Sequence, residues 1–245
     1  MLVTGAARGI GRAIALEFAA AGADVALGLR SITEDGGLAD EIAAMGRRVL
    51  PLQLDVMDLM QGRAAIDLTI EEFGRLDTLV NNAGGGRGGG RPALEVEEED
   101  FDFTFGLNTR SAFFLSQHAA RSMKAARSGS IVNIASMAGL VALEGEASYC
   151  IAKAAMIQMT RVHAVEWGTH GIRVNAVAPT FIRTDGTSER LDEPEFNSKI
   201  VAGIAGLHRV GVPAEVSGAV VFLASSAASL ITGVTVPIDG GWTAV

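Results

Sequence analysis

The chain is expected to be an α/β protein, a doubly wound parallel sheet of about seven strands with helices on both faces, in a single domain over residues 1–245. Three observations lead there. Short apolar runs alternate with longer stretches of helical period, the pattern of parallel strands joined by helical crossovers. The 245 residues suit one large core, and no repeat or long linker divides them. The 30 glycines against 6 prolines suit many tight turns and few stiff linkers.

The elements follow in chain order. Met1-Leu2-Val3 opens the first strand, which is short beside a typical strand of about five residues; a few natural residues are expected before Met1. Further strands are expected over Ala23–Leu29, Val49–Leu54, Thr78–Asn81, Ser130–Ala135, Arg173–Val177 and Thr235–Ile238. Ile10, Ile14, Phe18 and Ala21 share one face of a helix over Ile10–Ala21. Other helices are expected over Leu38–Met45, Arg63–Phe73, Phe101–Lys124, Tyr149–Trp167 and Pro213–Ala224. The glycine patch Gly84–Arg91 reads as a flexible loop or, sharper, as the border of a pocket at a strand end. The polar stretch Pro179–Glu195 is long for a plain connection and reads as a substrate loop, extending over about 179–210. Ligands of such a sheet bind at the carboxyl ends of its strands.

Composition excludes some functions. A net charge of −8 argues against a general nucleic-acid binder. No apolar run reaches the ~18 residues of a membrane span, and no signal-peptide pattern opens the chain. The single cysteine, Cys150, forms no internal disulfide, and its place one step along a helix from Tyr149 reads as packing. A cytoplasmic location follows by elimination. No metal site is assigned.

Thr4-Gly5-Ala6-Ala7-Arg8-Gly9-Ile10-Gly11 joins the first strand to the first helix. Gly5 permits a sharp turn, Gly9 and Gly11 admit a pyrophosphate, and the helix start offers free N–H groups. An acid at the end of the second strand would bind a ribose hydroxyl, whereas an arginine there accepts a 2′-phosphate. The residues present are Leu29-Arg30-Ser31, and Arg8 can join Arg30, which favours NADP over NAD; Glu34 and Asp35 keep NAD open. Asp55, followed by Val56, either accepts from an adenine amino group or caps the next helix.

Tyr149 is the only tyrosine, and Lys153, one of three lysines, follows it by four. That spacing shares a helix face. A close ammonium favours the phenolate and brings the phenol toward use as an acid and base. Ser136 ends a strand, where it either meets a substrate oxygen or makes a turn. Asn81-Asn82-Ala83-Gly84 reads as a turn. Asn108 stands inside a helix that disfavours it, which points to a polar task.

Together these motifs resemble the short-chain dehydrogenase/reductase family, in its compact single-domain branch, over nearly the whole length. The resemblance rests on Thr4-Gly5-x3-Gly9-x-Gly11, Asn81–Gly84, Asn108, Ser136, Tyr149-x3-Lys153 and Asp239-Gly240-Gly241. It implies a Rossmann-like fold and a tetrad of Asn108, Ser136, Tyr149 and Lys153. Tyr149 would exchange a proton with the substrate oxygen, Ser136 would hold that oxygen, Lys153 would bind the nicotinamide ribose, and Asn108 would position a relay water. It further implies cofactor contacts at Gly5, Arg8, Gly9, Ile10, Gly11, Arg30, Ser31, Asp55, Val56, Asn82, Ala83, Gly84, Tyr149, Lys153, Pro179, Ile182 and Thr184. A homotetramer or homodimer is implied, with the helices around Phe101–Lys124 and Tyr149–Trp167 as dimer faces. One departure is Thr180, where the family carries glycine after the proline.

The expected activity is exchange between a secondary alcohol and a ketone on a small molecule, with a sugar, sugar acid or polyol preferred. A 3-oxoacyl-thioester reductase is the alternative, for which Arg87, Arg91 and Arg183 would supply a basic patch. From another class, a catalytically silent nucleotide-binding sensor or scaffold is weighed against the intact tetrad.

Overall fold

A computed structural model describes residues 1–33 and 35–245. Its strands are β1 (Leu2–Thr4), β2 (Val25–Leu29), β3 (Val49–Gln53), β4 (Thr78–Asn81), β5 (Gly129–Ile134), β6 (Ile172–Pro179) and β7 (Thr235–Ile238). All pair in parallel, in the order β3-β2-β1-β4-β5-β6-β7. The helices are α1 (Gly9–Ala20), α2 (Leu38–Ala44), α3 (Leu59–Phe73), α4 (Glu98–Phe105), α5 (Ser111–Ala126), α6 (Ala147–Trp167), α7 (Ser188–Leu191), α8 (Pro194–Gly203) and α9 (Pro213–Ala224). The doubly wound sheet expected from the alternation is present. No helix of the described residues is long and apolar enough to cross a membrane.

The period of two along each strand builds two cores. Leu2, Leu79, Ile131 and Val174 lie in register and face Ile66 of α3 with Leu115, Ala119 and Met123 of α5. One residue on, Val3, Val80 and Val132 face the other way, onto Ile14 and Phe18 of α1 and Val216 and Val220 of α9. Strand order reverses between β1 and β4. Their carboxyl ends, Thr4 and Asn81, therefore open the crevice where such sheets bind ligands.

Several boundaries differ from the sequence reading, most by one or two residues, and four of the differences bear on the site. Helix α3 starts at Leu59 rather than Arg63, because the Asp58 carboxylate caps it, accepting from the N–H groups of Met60 (2.9 Å) and Gln61 (3.3 Å). β3 ends at Gln53, so Leu54 and Asp55 stand beyond it. The helix expected over Phe101–Lys124 begins at Glu98, where Glu98, Glu99 and Asp100 favour a helix start. A π-helical turn over Gly106–Arg110 then interrupts it. The stretch after Pro179 is not one open loop, since it contains α7 and α8, the latter with Pro194 in its first turn.

Candidate active site

The glycine-rich turn after β1 is held by the end of β4. Asn82 Nδ2 donates to the carbonyls of Thr4 (2.8 Å) and Gly5 (3.1 Å). Thr4 Oγ1 accepts from the N–H groups of Asn82 and Ala83, both at 3.0 Å. The Asn81–Gly84 run is thus more than a turn, because it joins the two strand ends that flank the crevice. Gly5 (φ +66°) and Gly9 (φ +57°) occupy the left-handed region, and a Cβ on Gly11 would strike the Gly5 carbonyl and Asn82.

These residues fit a dinucleotide. No side chain caps α1, so the N–H groups at Gly9, Ile10 and Gly11 face the crevice as an anion site. Thr184 stands opposite, its methyl 3.2 Å from where a Cβ on Gly9 would be. Ile182 is buried and bridges to Gly211, which anchors the segment that follows Pro179. Leu29 is buried, while Arg8 and Arg30 are exposed. Neither arginine takes part in an ion pair among the described residues. Ser31 shares a hydroxyl hydrogen bond with Thr33 at 3.1 Å. Asp35 is occupied at the start of α2, accepting from Gly37 and Ala39 N–H at 3.1 Å. Glu34 lies outside the described residues. Asp55 accepts from Met57 N–H at 3.0 Å and leaves helix capping to Asp58; Val56 beside it is buried.

Three residues of the expected tetrad, Asn108, Tyr149 and Lys153, border the segment after β4, and the fourth, Ser136, stands beside Tyr149. Asn108 is fully buried in the π turn; Nδ2 donates to the carbonyls of Gly85 (2.6 Å) and Thr104 (2.7 Å), and Oδ1 accepts from Gly85 N–H at 3.2 Å. A Cβ on Gly84 would crowd both Asn108 Oδ1 and Lys153 Nζ, and one on Gly86 would touch the Tyr149 ring. Lys153 Nζ donates to the Ile134 carbonyl at 2.8 Å and stands 5.6 Å from the centre of the Tyr149 ring. Ser136 caps the 3₁₀ turn Met137–Gly139 through Ala138 N–H (3.1 Å), and its hydroxyl lies close enough to the Tyr149 phenol to favour the phenolate. π turns inside α-helices recur at functional sites.

The electrostatics differ from the expectation that Lys153 lowers the phenol. Burial pushes Tyr149 up to about 12; the Ser136 hydroxyl opposes that shift and the Glu146 charge adds to it. Burial brings Lys153 down to about 7. Desolvation disfavours both charged forms, so near neutral pH the phenol is protonated and the amine is divided between its two states.

The patch Gly84–Arg91 is tied down along its length. Beyond the Asn108 bonds, Arg87 N–H donates to Thr104 Oγ1 (3.1 Å), Gly90 N–H donates to the Gly145 carbonyl (2.8 Å), and Arg91 pairs with Asp100 (3.1 Å). Arg183 pairs with Asp192 at 2.6 Å, so it is a surface arginine of the segment after Pro179. Sequence reasoning missed Asn133: its Oδ1 accepts from Asn81 Nδ2 (2.8 Å) and its Nδ2 donates to Thr160 (2.9 Å), tying β4, β5 and α6 beneath the site. The available signal was a polar residue inside an apolar strand.

Comparisons with known proteins agree with this geometry. A family model described as Enoyl-(Acyl carrier protein) reductase matches residues 5–243. The chain is 40% identical to 2-dehydro-3-deoxy-D-gluconate 5-dehydrogenase of Escherichia coli (strain K12), covering 99% of this chain and 94% of that one. It is 39% identical to the 3-oxoacyl-[acyl-carrier-protein] reductase FabG of Thermotoga maritima, covering 98% and 96%. A gluconate 5-dehydrogenase of Burkholderia cenocepacia, solved with NADP and tartrate, superposes with a TM-score of 0.93 at 32% identity, covering 100% of this chain and 94% of that one. The chain is an NAD(P)-dependent oxidoreductase. It belongs to the short-chain dehydrogenase/reductase family.

Proposed function

We propose that this enzyme interconverts a secondary alcohol and a ketone on a sugar acid or polyol, with NADP preferred over NAD. The observation that carries the reading is the meeting of Tyr149, Lys153 and Asn108 at Gly84–Gly86, beside the switch point of the sheet, with Ser136 next to the phenol. Relatives that act on sugar acids support the substrate class.

The glycine-rich turn and the start of α1 would hold a pyrophosphate, with Thr184 and Ile182 closing the far side. Arg8 and Arg30 would meet a 2′-phosphate beside Ser31, and Asp55 and Val56 would border the adenine. Pro179 would stand near the nicotinamide, with Asn82, Ala83 and Gly84 along the crevice floor. The nicotinamide, when bound, would supply or accept the hydride. In the reducing direction Tyr149 Oη passes its proton to the ketone oxygen as the hydride reaches the carbon, and the proton is then replaced through Lys153. In the oxidising direction Tyr149 takes the hydroxyl proton. Ser136, beside the phenol, holds the substrate oxygen. Lys153 in its protonated state would donate to the ribose, and the Ser136 hydroxyl offsets part of the burial effect that keeps the phenol protonated. Asn108 is a positioning residue: both its donors are taken by carbonyls, so it keeps the π turn and Gly85 in place for a relay water.

A second reading, reduction of a 3-oxoacyl thioester, is favoured by the likeness to the Thermotoga reductase. Arg91 and Arg183, two of its three expected basic residues, are already paired with Asp100 and Asp192, which weakens the case for an acidic carrier. Absorbance assays with sugar acids, polyols and a 3-oxoacyl thioester, each with NADP and NAD, separate the readings. Turnover of the thioester alone would overturn the sugar-acid reading, and turnover of none would favour a silent nucleotide-binding module. The assembly we propose is a homotetramer through α5 and α6, whose Phe113, Val162 and Val165 are exposed apolar residues. The proposed location is the cytoplasm.

A further inference from the structure

Three segments meet at one carboxylate beside the pocket. Glu146 precedes Tyr149 by three residues, and its charge acts on the Tyr149 phenol. It stands at the N-cap position of α6, yet its side chain makes no cap hydrogen bond. The carboxylate instead lies against the glycine patch, 3.1 Å from where a Cβ on Gly89 would be, and accepts from Arg190 Nη1 of α7 at 3.4 Å. The Arg190 guanidinium also stacks 4.2 Å from the centre of the Phe196 ring.

That arrangement is unusual for a surface ion pair. The Glu146 charge works against ionisation of the Tyr149 phenol, so a carboxylate here is a burden on the chemistry unless a cation offsets it. Arg190 supplies that cation, and the bond to Glu146 uses Nη1 alone. Its Nε and Nη2 edge makes no hydrogen bond among the described residues, and the side chain is 55% exposed. A planar guanidinium with one edge held and the other open is suited to a bidentate carboxylate. The other arginines near the mouth are differently placed: Arg91 and Arg183 are engaged by carboxylates, and Arg87 is stacked 3.9 Å over Phe103. Among the described residues, only Arg190 makes a side-chain hydrogen bond from the segment after Pro179 to the start of the helix that carries Tyr149.

We infer that Arg190 binds the carboxylate of the substrate, held in place by Glu146 and Phe196, and so selects sugar acids over neutral polyols. The inference rests on the sugar-acid reading above. In a six-carbon sugar acid oxidised at C5, the carboxyl carbon stands four carbon–carbon bonds from the reacting carbon. The anion therefore lies away from Tyr149 while the reacting hydroxyl meets it. With the anion bound, Arg190 bridges two carboxylates, and the substrate loop is drawn onto the pocket through α7.

The test compares D-gluconate with D-threitol in the full-length enzyme with cofactor. The ratio of kcat/KM for gluconate to that for threitol is measured for the wild type, Arg190→Gln and Arg190→Lys. Loss of a charge-assisted bidentate contact predicts at least a tenfold fall of the ratio in Arg190→Gln, with Arg190→Lys between it and the wild type. A purely structural role for the Glu146 bridge would lower both substrates together and leave the ratio unchanged, which would overturn the inference while the sugar-acid reading stands. A wild type that turns over threitol but not gluconate would overturn the inference and leave only the polyol half of the proposed function, and one that turns over neither would overturn both.

Discussion

Lys153→Met should make this protein more stable while it abolishes turnover. Lys153 is 3% exposed, and its amine falls from the ordinary 10.5 to about 7 through burial. Between those two values the unfolded chain binds more protons at this residue than the folded one, so stability climbs as pH rises from about 7 to 10.5. Below 7 both states carry the charge and the folded protein bears the full desolvation penalty, about 5 kcal/mol. At pH 7.5 about 4 kcal/mol of it remains. The substitution removes that penalty but also the hydrogen bond to the Ile134 carbonyl, leaving an unpaired acceptor that costs about 1–2 kcal/mol. The net gain is about 2–3 kcal/mol, or about 5–10 °C in Tm for a chain of this size. Calorimetry at pH 6, 7.5 and 9 checks it. The variant should melt above the wild type at pH 6 and 7.5, with the difference narrowing at pH 9. A variant that melts at or below the wild type at pH 6, with the same pH slope, would refute the reasoning that burial disfavours the charged amine.

Two further predictions follow from other parts of the site. If Arg30, next to the buried Leu29, meets a 2′-phosphate as proposed, Arg30→Glu should lower the NADP-to-NAD ratio of kcat/KM by at least tenfold; an unchanged ratio would remove Arg30 from that role. Asn108→Ala should destabilise the fold by about 2–3 kcal/mol in denaturant titrations, since it leaves the Gly85 and Thr104 carbonyls without their donor, and a loss under about 0.5 kcal/mol would show that those groups find other partners.

Much of this architecture is legible in the sequence because its signals are local. The β4 boundaries Thr78–Asn81 and the β7 boundaries Thr235–Ile238 agree with the apolar runs that announce them, and the tyrosine–lysine spacing places both residues on α6. Asn108 also declared itself, as a residue out of place in a helix, and the π turn around it is the structural counterpart. Other features depend on contacts between distant segments. Nothing in the run of glycines at 84–90 shows that Gly90 will bond to Gly145 or that Asn108 will clasp Gly85. Helix α7 has four residues and buries only Leu191, too little for a helical period to register. The Glu146–Arg190 pair spans 44 positions and brings together two charges that read separately as solvated surface. The direction of the Tyr149 shift was likewise hidden, because the ammonium effect can be inferred from spacing but desolvation only from burial.

In the proposed mechanism Tyr149 moves the proton through its hydroxyl, while most of the cofactor contacts lie on other residues. The most direct measurement is a pair of titrations on Tyr149→Phe: steady-state oxidation of D-gluconate with NADP, and NADPH binding followed by fluorescence. Turnover reduced by at least a thousandfold with NADPH affinity within a few-fold of the wild type is the predicted result. Near-normal turnover in that variant would contradict the account.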